Sequence, residues 1–91
     1  MKSTEFIIHN LNKWNKKYEG IQIKYGFDSS SNFHVVEISP EEIRRGNQTY
    51  MEEELKMWLD FMVKYPKEEM LISEPWEGNH ISKILYSNFK G

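Results

Sequence analysis

The stretch between Thr49 and Pro66 constrains the fold more than any other part of this 91-residue chain. Thr49 and Glu52 have the spacing of a capping box, and Pro66 cannot continue a helix, so the segment predicts a helix over residues 50–65. Its apolar residues at three- and four-residue spacing are Met51, Leu55, Trp58, Met62 and Tyr65. That spacing places them on one side of the helix, and we expect this side to face the protein core.

The apolar residues of this helix cover a much wider part of its circumference than a single stripe does. At about 100° per residue, the apolar arc covers about 240°, interrupted by Glu54. An arc of this width means that the helix is covered on two sides within its own fold, or that another chain covers part of it. If the Met51 stripe faces a sheet, the flank carrying Tyr50, Met57 and Phe61 points partly away from it. This flank is then open to a partner, unless the C-terminal segment packs over it.

A second helix is predicted over residues 4–19, capped by Ser3 or Thr4 and ended by Gly20. Its apolar residues, again on one face, are Ile7, Leu11, Trp14 and Tyr18. Four apolar residues make a narrow stripe, and this predicts a helix that packs on one side only.

Residues 21–27 and 33–39 alternate in polarity around the polar turn Asp28–Asn32, which predicts a β-hairpin. A register with Ile23 opposite Val36 and Tyr25 opposite His34 keeps one face apolar. Glu37 then lies on the solvent side. In this interpretation His34 is a structural, half-buried ring beside Tyr25.

Shorter elements complete the predicted fold. Ser39, Pro40 and Glu42 predict a short helical turn over residues 40–45. The apolar segment 69–73 predicts a third strand, and residues 80–89 are compatible with either a helix or a final strand.

Together these patterns predict an α+β fold in a single domain, residues 1–91. A small, mainly antiparallel sheet is expected, built on the 21–39 hairpin with the strand near 69–73 and, as one option, a C-terminal strand. The helices at about 4–19 and 50–65 pack on it.

Composition argues against several classes of function. The chain has no cysteine, which removes disulfides and every cysteine-based catalytic or metal site, and fits a cytoplasmic setting. Three dispersed histidines and five scattered glycines form no metal-binding or phosphate-binding motif. We therefore expect no enzyme, no cofactor and no metal. The sequence contains no run of apolar residues long enough for a membrane span.

The best-supported hypothesis is a non-catalytic protein–protein interaction module, such as a small inhibitor or immunity-type protein, or a self-associating one. Candidate partner-binding residues are the apolar flank of the long helix, two of its acids and a tryptophan in a turn: Tyr50, Met57, Phe61, Glu53, Asp60 and Trp76. Tryptophan is frequent at interface hot spots, although an interpretation of Trp76 as a lid folded over the core is favoured here.

Two other functions stay open. A nucleic-acid accessory protein would use the basic first helix through Lys2, Lys13, Lys16 and Lys17, but the net charge of −2 disfavours this. A small hydrolase or ligand-binding protein would use His34, whose side chain titrates near neutral pH.

Overall fold

The computed structural model describes residues 1–88 and has the predicted α+β architecture. Its helices are α1 (Ser3–Lys17), α2 (Glu41–Arg44) and α3 (Gln48–Lys64), and its strands are β1 (Gln22–Asp28), β2 (Phe33–Ser39), β3 (Glu69–Ser73) and β4 (Lys83–Ser87). A 3₁₀ turn, Pro75–Glu77, lies between β3 and β4.

The four strands form one sheet in the order β3-β2-β1-β4. The strand β1 is antiparallel to both of its neighbours, whereas β2 and β3 run parallel, so the sheet is mixed. A parallel pair needs a crossover connection, and α2 and α3 supply it between these two strands.

The hairpin has the predicted inward face but a register displaced by two residues. Tyr25 lies opposite Val36, and Phe27, not Tyr25, lies opposite His34. The turn sets this register. The Asp28 carboxylate accepts a hydrogen bond from the Ser30 amide at 3.0 Å, which starts a short turn directly after β1. A displacement by two leaves every side chain on its predicted face.

Both faces of the sheet are covered. Helices α1 and α3 pack on the face that presents Ile23, Tyr25, Val36 and Ile38, and together they form the main core. On the opposite face the chain between β3 and β4 crosses from one edge of the sheet to the other. There a methyl group at Gly26 would collide with Ile81.

This crossing chain corrects the prediction for Glu37. Its side chain is buried, and its carboxylate accepts a hydrogen bond from Asn79 Nδ2 at 3.1 Å. Lys24 lies directly opposite it on β1. The expectation of a solvated glutamate was wrong because sequence alternation cannot reveal that a later segment covers the outer face.

The C-terminal segment is a strand where the structure describes it. The strand β4 pairs with β1, and the Asn88 side chain accepts a hydrogen bond from the Ile23 amide at 2.7 Å. Tyr86 reaches α1 through Asn12. This segment therefore does not cover α3; Phe89, the last residue of the predicted segment, lies outside the described residues.

Candidate protein interface

The long helix α3 is turned about its axis relative to the prediction. Tyr50, Met57 and Phe61, expected on an open flank, are 0%, 2% and 0% exposed. The stripe expected to face the core is instead open, with Met51 at 41% and Leu55 at 57% exposure. The prediction of an accessible flank at Tyr50, Met57 and Phe61 was therefore wrong.

Aromatic contacts with α1 account for this orientation. Trp14 packs edge-on against Tyr50 with ring centroids 5.0 Å apart, and Phe6 stacks on Phe61 at 6.3 Å. Such pairs stabilise beyond the area they bury. The stripe from Met51 to Met62 offers a single aromatic ring, Trp58, so the aromatic side of α3 turns inward.

The polar parts of the buried flank are satisfied inside the fold. The Tyr50 hydroxyl donates to Glu54 at 2.8 Å, and its burial raises the pKa of the Tyr50 phenol. The Asn47 side chain, and not Thr49, caps α3 by accepting from the Tyr50 amide at 3.0 Å. These contacts hold the N-terminal turn of α3 in its orientation.

An exposed apolar surface results on the other side of α3. We call it the apolar face, and it consists of Met51, Leu55, Trp58, Leu59, Met62 and Val63 of α3 together with Leu71 of β3. Exposure runs from 37% at Trp58 to 81% at Val63. A hollow of about 340 Å³ lies where Leu55 and Trp58 meet Leu71 and Ile72. Contiguous apolar surface of this extent on a small protein usually marks an interaction site.

The neighbouring edge of the sheet is covered by side chains. The strand β3 lies at one edge, and its alternate carbonyls accept hydrogen bonds: Met70 from Trp58 Nε1 at 3.3 Å and Ile72 from Arg44 Nη2 at 2.9 Å. An edge strand with free carbonyls can template another strand. Here two of those carbonyls are already engaged, which weakens this edge as a template for an added strand.

An ion-pair cluster fixes α2 to the end of β3. Glu74 is 2% exposed and accepts from Arg44 Nη1 at 2.8 Å, and also from Arg45. Hydrogen bonds from Arg45 and Arg44 lower the pKa of Glu74 to about 2. Arg44 also approaches Glu54 of α3, with Nε 3.4 Å from Oε1. The cluster thus joins α2, α3 and β3 and fixes the two elements that carry the apolar face.

The other predicted contact residues lie away from the apolar face. Glu53 accepts hydrogen bonds from Lys17 Nζ at 2.9 Å and from the Tyr18 hydroxyl, and Asp60 pairs with Lys56 at 3.0 Å. Both acids line a hollow of about 140 Å³ between α1 and α3. Contact of Glu53 and Asp60 with a partner protein stays a prediction.

Trp76 lies in the 3₁₀ turn and is 59% exposed. The interpretation of its ring as a lid over the core was therefore wrong. A role in partner binding stays a prediction for this residue as well.

His34 is buried in a polar network within the core. Its Nδ1 lies 2.7 Å from the Tyr25 hydroxyl, and its Nε2 lies 2.8 Å from the Glu68 carboxylate, which also accepts from Ser3 at 2.7 Å. We assign the imidazole proton to Nε2, because a carboxylate can only accept. Phe27 and Phe61 flank the ring edge-on. With 3% exposure the ring is more deeply buried than predicted, and the network reaches the surface through Glu68 and the partly exposed Ser3.

The basic side chains of α1 do not form an isolated stripe. Lys17 pairs with Glu53, and Lys13 lines the same hollow as Glu53 and Asp60. Their positive charge is therefore partly balanced by acids of α3. Weak or absent binding of nucleic acid stays a prediction.

Among residues 1–88, no three His, Asp or Glu side chains come together as ligands for a metal ion. Within that same part of the chain, none of the helices has the length and apolar character to cross a membrane.

Comparison with known proteins gave no match, whether with family models, curated proteins or solved structures.

Proposed function

We propose that this chain is a non-catalytic interaction module that binds an amphipathic helix of another protein molecule on its apolar face. The observation that carries the proposal is the exposure of Leu55, Trp58 and Met62 on a well-anchored helix. Leaving such side chains in water has a free-energy cost of about 25 cal/mol for each Å² of apolar surface, and a partner removes that cost.

A helical partner fits this surface better than a strand. Met51, Leu55, Trp58 and Met62 follow the alternating four- and three-residue spacing of a helix–helix seam. The adjacent edge carbonyls of Met70 and Ile72 already accept hydrogen bonds, which disfavours an added strand. Methionine also suits an interface, because its flexible side chain adapts to the surface it meets.

The burial of His34 supports a non-catalytic role. Both ring nitrogens have protein partners, and two aromatic rings flank the imidazole. A general base must reach the proton that it abstracts, and this ring has no open side for a substrate. A cytoplasmic setting is part of the proposal, since the fold is held without disulfides.

Photo-crosslinking in cells of the native host tests the proposal. A photoreactive phenylalanine analogue at position 59 should give a covalent adduct with a protein, either another copy of the chain or a different one. The adduct should be lost when Leu55→Glu is added.

Position 84 provides the control. Ile84 lies on β4 at the opposite edge of the sheet and is 57% exposed, the same as Leu55. The analogue at position 84 should give no such adduct. Equal labelling from both positions, or no labelling from position 59, would refute the proposal.

A further inference from the structure

The apolar face has the size expected for one side of a protein dimer. At roughly 200 Å² for a fully exposed large side chain, the exposed fractions of its seven residues amount to about 700 Å². Stable interfaces of standard size bury about 800 Å² on each partner. The face is therefore large enough to account for most of one stable interface.

The pattern on α3 is also complementary to itself. The centre of the seam falls between Leu55 and Trp58. A two-fold axis that passes through this point, perpendicular to the helix, makes two copies of α3 antiparallel. It places Leu55 against the other copy's Trp58, and Met51 against the other copy's Met62. Two-fold interfaces use one surface patch twice in this way, and they are the commonest arrangement in soluble oligomers.

We infer that the occupant of the apolar face is a second copy of this chain, joined through antiparallel α3 helices about a two-fold axis. The inference rests on the proposed function and names the partner of the same surface. Trp58 is the central anchor of the interface, and its ring is already held by the hydrogen bond to the Met70 carbonyl. A pre-positioned tryptophan at the middle of an interface is the common arrangement of a binding hot spot.

Sedimentation tests the dimer. Over about 1–100 µM, which covers the weak end of affinities for interfaces of this size, the wild-type chain should reach twice its 11.0 kDa mass. Leu55→Glu should shift it to the monomer. Ile84→Glu, at the same exposure of 57%, should leave the dimer intact. If circular dichroism shows that Leu55→Glu does not fold, Leu59→Glu replaces it as the interface variant.

Engineered cysteines test the orientation, because the natural chain has none. A mixture of Met51→Cys and Met62→Cys chains should form a disulfide-linked pair under mild oxidation, since the two positions meet across the axis. Each variant alone should stay unlinked, because a disulfide needs Cα atoms within about 7 Å.

Each outcome decides the inference. The dimer is refuted if the wild-type chain stays monomeric, or if Leu55→Glu and Ile84→Glu dissociate it equally. The antiparallel arrangement is refuted if Met51→Cys forms a disulfide with itself. A monomer that still gives a position-59 adduct with a different protein would refute the dimer and leave the proposed function standing. A monomer without any such adduct would refute both.

Discussion

The hydroxyl oxygen of Tyr25 lies 2.7 Å from Nδ1 of His34, and both side chains are buried. This hydrogen bond satisfies the ring nitrogen that faces away from Glu68. We expect Tyr25→Phe to lower the free energy of unfolding by about 1–2 kcal/mol, because it leaves Nδ1 buried without a donor.

The same pair predicts a non-additive double variant. We expect His34→Ala to cost on the order of 3 kcal/mol, because it opens a cavity and removes the acceptor of Tyr25. The double variant should cost less than the sum of the two, measured by urea unfolding in a double-mutant cycle. Strictly additive effects would mean that the Tyr25–His34 contact does not stabilise the fold.

The orientation of α3 can be tested by two adjacent alanine substitutions. Phe61 is fully buried and Met62 is 48% exposed. Phe61→Ala should lower the free energy of unfolding by about 3–5 kcal/mol, and Met62→Ala by well under half of that. Urea unfolding at low protein concentration gives both values for the monomer. If Met62→Ala were the more destabilising of the two, α3 would have the orientation expected from the sequence pattern.

The start of α3 can be tested at its N-cap. Asn47→Ala should destabilise the protein by about 1 kcal/mol, because its side chain caps the Tyr50 amide. Thr49→Ala is the matched control, and it should be neutral or slightly stabilising because alanine is the better helix former. Thermal melts of the two variants measure this difference, and an equal loss from both would argue for Thr49 as a cap.

Gly26 lies where the crossing chain approaches the sheet most closely. A methyl group there would collide with the Ile81 side chain and with the Lys83 carbonyl oxygen. We expect Gly26→Ala to cost about 1–3 kcal/mol by overpacking. Adding Ile81→Ala should not restore stability, because the contact with the Lys83 backbone remains. A wild-type melting temperature for Gly26→Ala would show that β4 can move away at little cost.

Acid should weaken the cluster around Glu74. The pKa of Glu74 in the folded state is about 2, held down by Arg45 and Arg44, whereas an unfolded glutamate has a pKa of about 4.3. Because the folded pKa is the lower one, this glutamate stabilises the fold above about pH 4.3, and the contribution is lost as the pH falls toward 2. Glu74→Gln should therefore be less stable than wild type at neutral pH and depend less on pH between about 5 and 2. Urea midpoints across this range measure both effects, and an unchanged pH dependence would contradict the assignment.

Local patterns in the sequence were enough to predict most secondary structure. Apolar spacing placed α1 and α3 within two residues at each end, and alternation placed β1 and β2 with the correct faces inward. These features depend on residues close together in the chain. The register of the hairpin was wrong by two residues because it depends on how Asp28 bonds within the turn.

Contacts between distant segments account for the other errors. Both sides of α3 are apolar, so periodicity alone could not show that Tyr50 and Phe61 would turn toward α1. Glu37 was expected in solvent because nothing near it in the sequence indicates that Asn79 covers it. The parallel pairing of β3 also follows from the path of the crossover rather than from its own residues.

The position of β1 between β2 and β4 has a consequence for synthesis on the ribosome. Its pairing with β2 is complete once Ser39 has emerged, but its other edge pairs with Lys83–Ser87, which emerge only after α3 and β3. Until then the nascent hairpin presents an open backbone edge and an uncovered Gly26. Open edges of this kind promote pairing between chains. The nascent protein is therefore most exposed to misassociation on polysomes, where several copies of the unfinished hairpin are held close together.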